Sequence, residues 1–176
     1  MIIHPTTSVL FVVDNDDSSL QPLLSYLQNI RHLKLTIEPQ LVKNLSSYDV
    51  VVTENTSAFA SDNEQLTEFV HQGGGWLGLV RLSDRPLPQL FGAQPNPLGP
   101  EAELRVLFKN RDHPMATRLP DAIYLKGYYQ PLDTTSEDTE TVLYADWHYQ
   151  HSAVLVHRTV GDGHVACRTL QAYENP

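Results

Sequence analysis

Two patterns of apolar and polar positions alternate along the first eighty residues. Ser8 to Asp14, SVLFVVD, is a continuous apolar run that ends in acids, as in a strand buried on both faces. Ser18 to Ile30 instead carries Leu20, Leu23, Leu24, Leu27 and Ile30 at helical spacing, with Pro22 in the first turn. Leu33 to Ile37 alternates and predicts a second strand, ended by Pro39. Tyr48 to Thr53 predicts a third buried strand, with a polar exit at Glu54-Asn55-Thr56-Ser57. Asp62 to Gln65 resembles a capping box, with Asp62 as N-cap and Gln65 reaching back. Leu66, Phe69 and Val70 form the apolar stripe of the helix that follows. That helix runs into Gly73-Gly74-Gly75, where glycine can take the left-handed conformation that ends a helix. Trp76 to Val80 is then a strand apolar on both faces, and Arg81 opens a polar turn.

The texture changes after Val80. Arg81 to Pro100 holds Pro86, Pro88, Pro95, Pro97 and Pro100 with no stable period, which predicts a lid or an irregular edge. Only Leu87 to Phe91 reads as a short helix. Strands are predicted at Glu103–Phe108, Ala122–Tyr128 and Thr141–Tyr144. Ala153–Arg158 and His164–Leu170 flank Gly161-Asp162-Gly163, a hairpin signal. The first half thus reads as βαβαβ and parallel, the second as strand-rich and antiparallel.

Composition narrows the class. At 176 residues the chain fits one domain with a sizeable core. Its net charge of −9 and scattered cations argue against nucleic acid or an anionic membrane as partner. A single cysteine, Cys167, rules out an internal disulfide and agrees with a reducing cytoplasm, the expected location. The run Val9 to Val13 is too short for a signal-peptide core or a membrane span.

Three stretches together resemble the trehalose-utilisation (ThuA-like) family, within the class I glutamine amidotransferase-like superfamily. They are Tyr48 to Val80, with YDVVV and QGGGWLGLV; DHPMATRLP, from Asp112 to Pro120; and SAVLVHRTVGDGHVACRTL, from Ser152 to Leu170. The resemblance implies a flavodoxin-like three-layer α/β sandwich over residues 1–176. It also implies a mostly parallel central sheet with a functional edge at the carboxyl ends of the parallel strands. Active amidotransferases of the superfamily place a cysteine in an elbow just after the strand that follows the glycines. Here Val80 stands at that elbow, so no catalytic residue is assigned and glutamine hydrolysis is not expected. Beyond the HP segment, the family's acidic residue beside a tyrosine is replaced by Lys126-Gly127-Tyr128-Tyr129. The family's later glycine-histidine pair is replaced by Thr169-Leu170-Gln171-Ala172. In ThuA-like proteins an Asn-Pro such as Asn175-Pro176 precedes a further covering helix, so a homodimer or a fused second domain is expected to supply that cover.

The ligand-binding candidates are Asp14, Asn15, Glu54, Asn55 and Arg81 at the carboxyl edge, together with Tyr128. Arg81 either holds a carboxylate or phosphate bidentately or forms a salt bridge with Glu54 or Asp14. Asp14 to Asp17 reads as a solvated turn that caps the next helix, ahead of a cation site. Cys167 reads as a buried structural thiol, His148 and His151 as surface histidines, and His157 with His164 as a cross-strand polar pair. No cofactor and no metal are expected. The functional expectation is a domain that binds a small polar, sugar-related ligand without catalysis. The alternatives are an enzyme acting on a sugar or related small molecule, and an interaction or oligomerisation domain of a larger protein.

Overall fold

The computed structural model describes residues 5–13, 18–54, 63–80, 85–117, 119–147 and 150–170. Among these residues, eleven strands join in one mixed sheet. Its first part is built from β1 (Thr7–Val12), β2 (Leu33–Glu38), β3 (Val50–Thr53) and β4 (Gly75–Leu79). β1 pairs in parallel with both β2 and β3, and β3 pairs in parallel with β4. Helices α1 (Gln21–Gln28) and α2 (Asn63–His71) make two of the crossovers. β1 and β3 turn apolar side chains to both faces, as their continuous apolar runs require. Leu10, Val51, Val70 and Trp76 pack in one core, while Phe11, Leu24, Val52 and Leu79 pack in another.

The rest of the sheet is assembled differently. β5 (Ala93–Pro95) and β8 (Leu132–Thr134) pair with each other and attach to the main sheet through β10 (Gln150–Val160). β6 (Ala102–Phe108), β7 (Ala122–Gly127), β9 (Glu140–Trp147) and β10 are joined by antiparallel pairs. β11 (Gly163–Arg168) closes a hairpin with β10 and lies parallel to β4, so it stitches the two parts together. The main order is β2-β1-β3-β4-β11-β10-β9-β6-β7.

This architecture corrects the flavodoxin-like three-layer sandwich. The fold is 44% strand and 17% helix, with two α-helices among the described residues. The physical reason lies beyond β4. Parallel strands need long crossovers, usually helical, whereas antiparallel neighbours close by hairpins and loops that bring no helix to the sheet face. Residues Gln89–Phe91 and Pro114–Ala116 form single 3-10 turns in that region.

Local details also differ from expectation. The first helix begins as a 3-10 turn, Ser18–Leu20, and α1 ends at Gln28 rather than at Ile30. Gln65 Nε2 donates to the carbonyls of Val42 (2.8 Å) and Lys43 (3.1 Å), tying α2 to the segment before β3. Asp62 lies outside the described residues. The glycines behave as their composition requires. Gly73 takes φ +102°, Gly73 N donates to Val70 O at 2.9 Å, and Gly74 N donates to Phe69 O at 3.0 Å. These two bonds close α2 with a Schellman motif.

Candidate functional site

The carboxyl ends of β1, β3, β4 and β11 form one edge. Val12 is level with Thr53, Thr53 with Gly78, and Arg168 with Leu79. One residue further along lies Glu54, buried at 5% exposure, with its backbone N–H donating to Val12 O (3.1 Å). Beneath it, Trp76 Nε1 donates to Thr53 Oγ1 at 2.9 Å in a fully buried pair, which ties the end of β3 to the side chain of Trp76 near the start of β4. Val80 is buried at the elbow and donates its N–H to Arg168 O at 2.8 Å. Nucleophilic acyl chemistry has no side-chain nucleophile at this point. Cys167 lies one residue before the edge, fully buried, and burial pushes its thiol far above the ordinary cysteine range. A thiol so placed is a core side chain.

Of the expected edge residues, Glu54 is in place. Asp14, Asn15, Asn55 and Arg81 lie outside the described residues, as does His148. Tyr128 does not join Glu54. It follows β7, which stands at the opposite margin of the sheet from β2, and it is 44% exposed. The fold adds two edge residues that sequence reasoning passed over. Arg168 ends β11, two strands from β3 and so about 10 Å from its end. Thr169 is buried beside it. The strand pattern HVACR carried the signal, since it places a cation at the end of an apolar strand.

Among the described residues, two cavities lie on the antiparallel part. One, of about 430 Å³, is lined by Glu103, Arg105, Tyr124, Lys126 and Asp146, with Arg105 salt-bridged to Asp146. The other, of about 470 Å³, is lined by Lys109, Asp133, Thr134, Thr141, Tyr144 and His151. The His151 ring lies 4.7 Å from that of Tyr144, with Nε2 3.7 Å from Asp146 Oδ1.

A denser polar group sits at the other edge, where β4 and β11 begin. Glu140 opens β9 and is directly opposite His157 on β10. His157 Nε2 meets His164 Nδ1 at 3.1 Å, so the two histidines do pair across the hairpin. His113 reaches the same place from the segment after β6, with Nε2 3.8 Å from Glu140 Oε2 and its ring edge-on to His157 at 6.0 Å. Its Nδ1 accepts from Met115 N (3.2 Å), which caps the following 3-10 turn. Burial, then His164 and His113, lower the pKa of His157, while Glu140 opposes them. Sequence reasoning saw the His157–His164 pair but not His113 or Glu140, since each joins from a separate part of the chain.

Comparison with solved structures places the fold. A ThuA-like protein from Bacteroides uniformis superimposes with a TM-score of 0.72 at 14% identity, over 96% of this chain and 83% of that one. The chain has the ThuA-like fold. A cytoplasmic protein, STM3548, from Salmonella typhimurium aligns at TM-score 0.62 and 15% identity, over 93% of this chain and 87% of that one. A β-galactosidase from Bacillus circulans aligns at TM-score 0.63 and 16% identity over 93% of this chain, but only 28% of the galactosidase. No protein-family model matches the chain, and no curated protein sequence does. No helix among the described residues is long and apolar enough to cross a membrane.

Proposed function

We propose that this ThuA-like domain binds a small polar, sugar-related ligand at the carboxyl edge of its parallel strands and does not turn it over. The observation that carries this reading is Glu54, a carboxylate buried at the edge where open α/β sheets gather their ligand-touching loops. Arg168, two strands away, adds a cation to the same edge. Val80 at the elbow removes the thiol that glutamine hydrolysis needs, so incubation with glutamine releases no ammonia above background. Asp14, Asn15, Asn55 and Arg81, which follow these strands in sequence, lie outside the described residues and are the further candidates for this site.

The test is a thermal-shift screen of sugars, sugar acids and nucleotides. A ligand at a hundred times its Kd stabilises by about 2.7 kcal/mol, which raises the melting temperature of a domain this size by roughly 5–10 °C. Glu54→Gln removes the shift, while Tyr124→Ala, in the groove on the antiparallel part, keeps it. The reverse result moves the site to that groove. A screen in which no compound shifts the melting temperature counts against the reading.

A second reading is an interaction domain of a larger assembly. The likeness to under a third of a β-galactosidase chain supports it, since the same fold there is one part of a longer polypeptide. Under this reading a homodimer or a fused second domain covers part of the sheet. Solution mass by light scattering separates the two cases from a monomer.

A further inference from the structure

The amino edge of the sheet carries a donor set that the proposed ligand site does not use. We propose that His113, Glu140 and His157 form a binding site for one divalent transition ion of zinc's class, with His164 orienting His157. One ligand atom from each of the three lies within 4.8 Å of the others. Around a tetrahedral zinc with bonds of 2.0–2.1 Å, neighbouring donor atoms are roughly 3.3 Å apart. The His113 Nε2–Glu140 Oε2 distance of 3.8 Å is already close to that value. Glu140 has a side chain about half exposed, so it can rotate the remaining distance.

The backbone holds the group. Glu140 and His157 are directly opposite on adjacent strands, and His164 lies on the third strand of the same ladder. His113 is anchored from the other side, because the turn it caps buries Ala116 in the core beneath this face. Two imidazoles and one carboxylate suit zinc and its neighbours better than calcium or magnesium, which take all-oxygen shells. They also leave a fourth position for water or a substrate atom.

The hydrogen bonds state what binding entails. One proton lies between His157 Nε2 and His164 Nδ1. On His157 it leaves Nδ1 with a lone pair for the ion, and His164 plays the outer-shell acceptor that ligating histidines usually have. His113 Nδ1 accepts from Met115 N, so ligation through Nε2 moves the ring proton to Nδ1 and gives up that cap. Ion binding therefore perturbs the Met115 amide.

The experiment uses untagged full chain, stripped with chelator and titrated with zinc by calorimetry, with cobalt(II) visible spectra in parallel. The expected result is one ion per chain at micromolar affinity or tighter, four-coordinate cobalt bands, and a shifted Met115 amide resonance. His157→Ala and Glu140→Gln each weaken binding at least about tenfold, as does His164→Ala, and His151→Ala at the far edge leaves it unchanged. Absence of saturable binding overturns the proposal, and so does binding that survives His157→Ala and Glu140→Gln. If His157→Ala fails to fold, Glu140→Gln decides alone, because that side chain is half exposed and carries little of the core.

Discussion

The parallel and antiparallel parts of this sheet solve the same problem with different amounts of cover. In the parallel part, β1 buries Val9, Leu10, Phe11 and Val12 in succession, and two separate cores form on its two faces. In the antiparallel part, β6 buries Leu104, Val106 and Phe108 but exposes Glu103 and Arg105 in alternation with them. Its neighbour β7 exposes Tyr124 and Lys126 on the same face. Period and cover are one fact seen twice. A strand covered on both faces has no place for charge, whereas a strand covered on one face must alternate. The open polar face lines one cavity, between β6 and β7, and a histidine cluster lies where the two parts meet at β10 and β11.

Four measurements break or sharpen this contrast, and the largest effect is expected in the doubly covered part. Trp76 is 1% exposed, packs its ring 4.5 Å from that of Phe91, and donates to Thr53. Trp76→Ala is expected to cost about 3–5 kcal/mol, read by urea unfolding. A cost below 1 kcal/mol would mean that this core is not the stabilising one.

The seam between the parts comes next. A Cβ at Gly163 would strike the carbonyl oxygens of Val70 and Gly74, where the β10–β11 hairpin crosses the end of α2. Gly163→Ala is expected to cost about 1–3 kcal/mol through overpacking. Gly99 offers a comparison, since there the nearest obstacle is the Tyr129 ring. If Gly163→Ala proves harmless, α2 and the hairpin are not in rigid contact.

A smaller effect is expected from pH at the amino edge. His157 has a lowered pKa because burial, His164 and His113 disfavour its charged form. Between the ordinary histidine value near 6.5 and the lowered native one, the unfolded chain binds more protons. Stability therefore falls as pH drops below about 6.5 and levels off once the native ring protonates as well. Melting curves from pH 7.5 to 5.5 read this directly, and His157→Gln should flatten the slope. An unchanged slope in the variant assigns the pH dependence to other groups.

The smallest effect belongs to the open face. Tyr124 is 76% exposed, so Tyr124→Ala should stay within about 0.5 kcal/mol of the parent in urea unfolding. A loss comparable to that of Trp76→Ala would show that this face is covered in solution, for instance by a second copy of the chain.

Much of this was legible in the residues. The continuous runs at Ser8 to Asp14 and Tyr48 to Thr53 marked strands with two buried faces; β1, which starts one residue earlier at Thr7, overlaps the first and β3 falls within the second. The glycines after His71 marked the end of α2, and Gly161-Asp162-Gly163 marked the hairpin between β10 and β11. The three-layer sandwich failed because a resemblance carried helices into a region whose own sequence offers no amphipathic stripe. The bonds from Gln65 to the Val42 and Lys43 carbonyls were not legible, because those partners are distant in sequence.

By itself, then, the sequence determined the local elements, the absence of a nucleophile at Val80, and the buried character of the Cys167 strand. Those follow from period, turn chemistry and side-chain type, which act over a few residues. Tertiary structure alone decided that β11 lies between β4 and β10, that Arg168 stands on the same edge as Glu54, and that His113 and Glu140 meet the His157–His164 pair. The order of strands depends on how apolar faces from distant segments cover one another. No local pattern encodes which of several suitable strands becomes the neighbour, so the groups gathered at each edge became visible only in the folded chain.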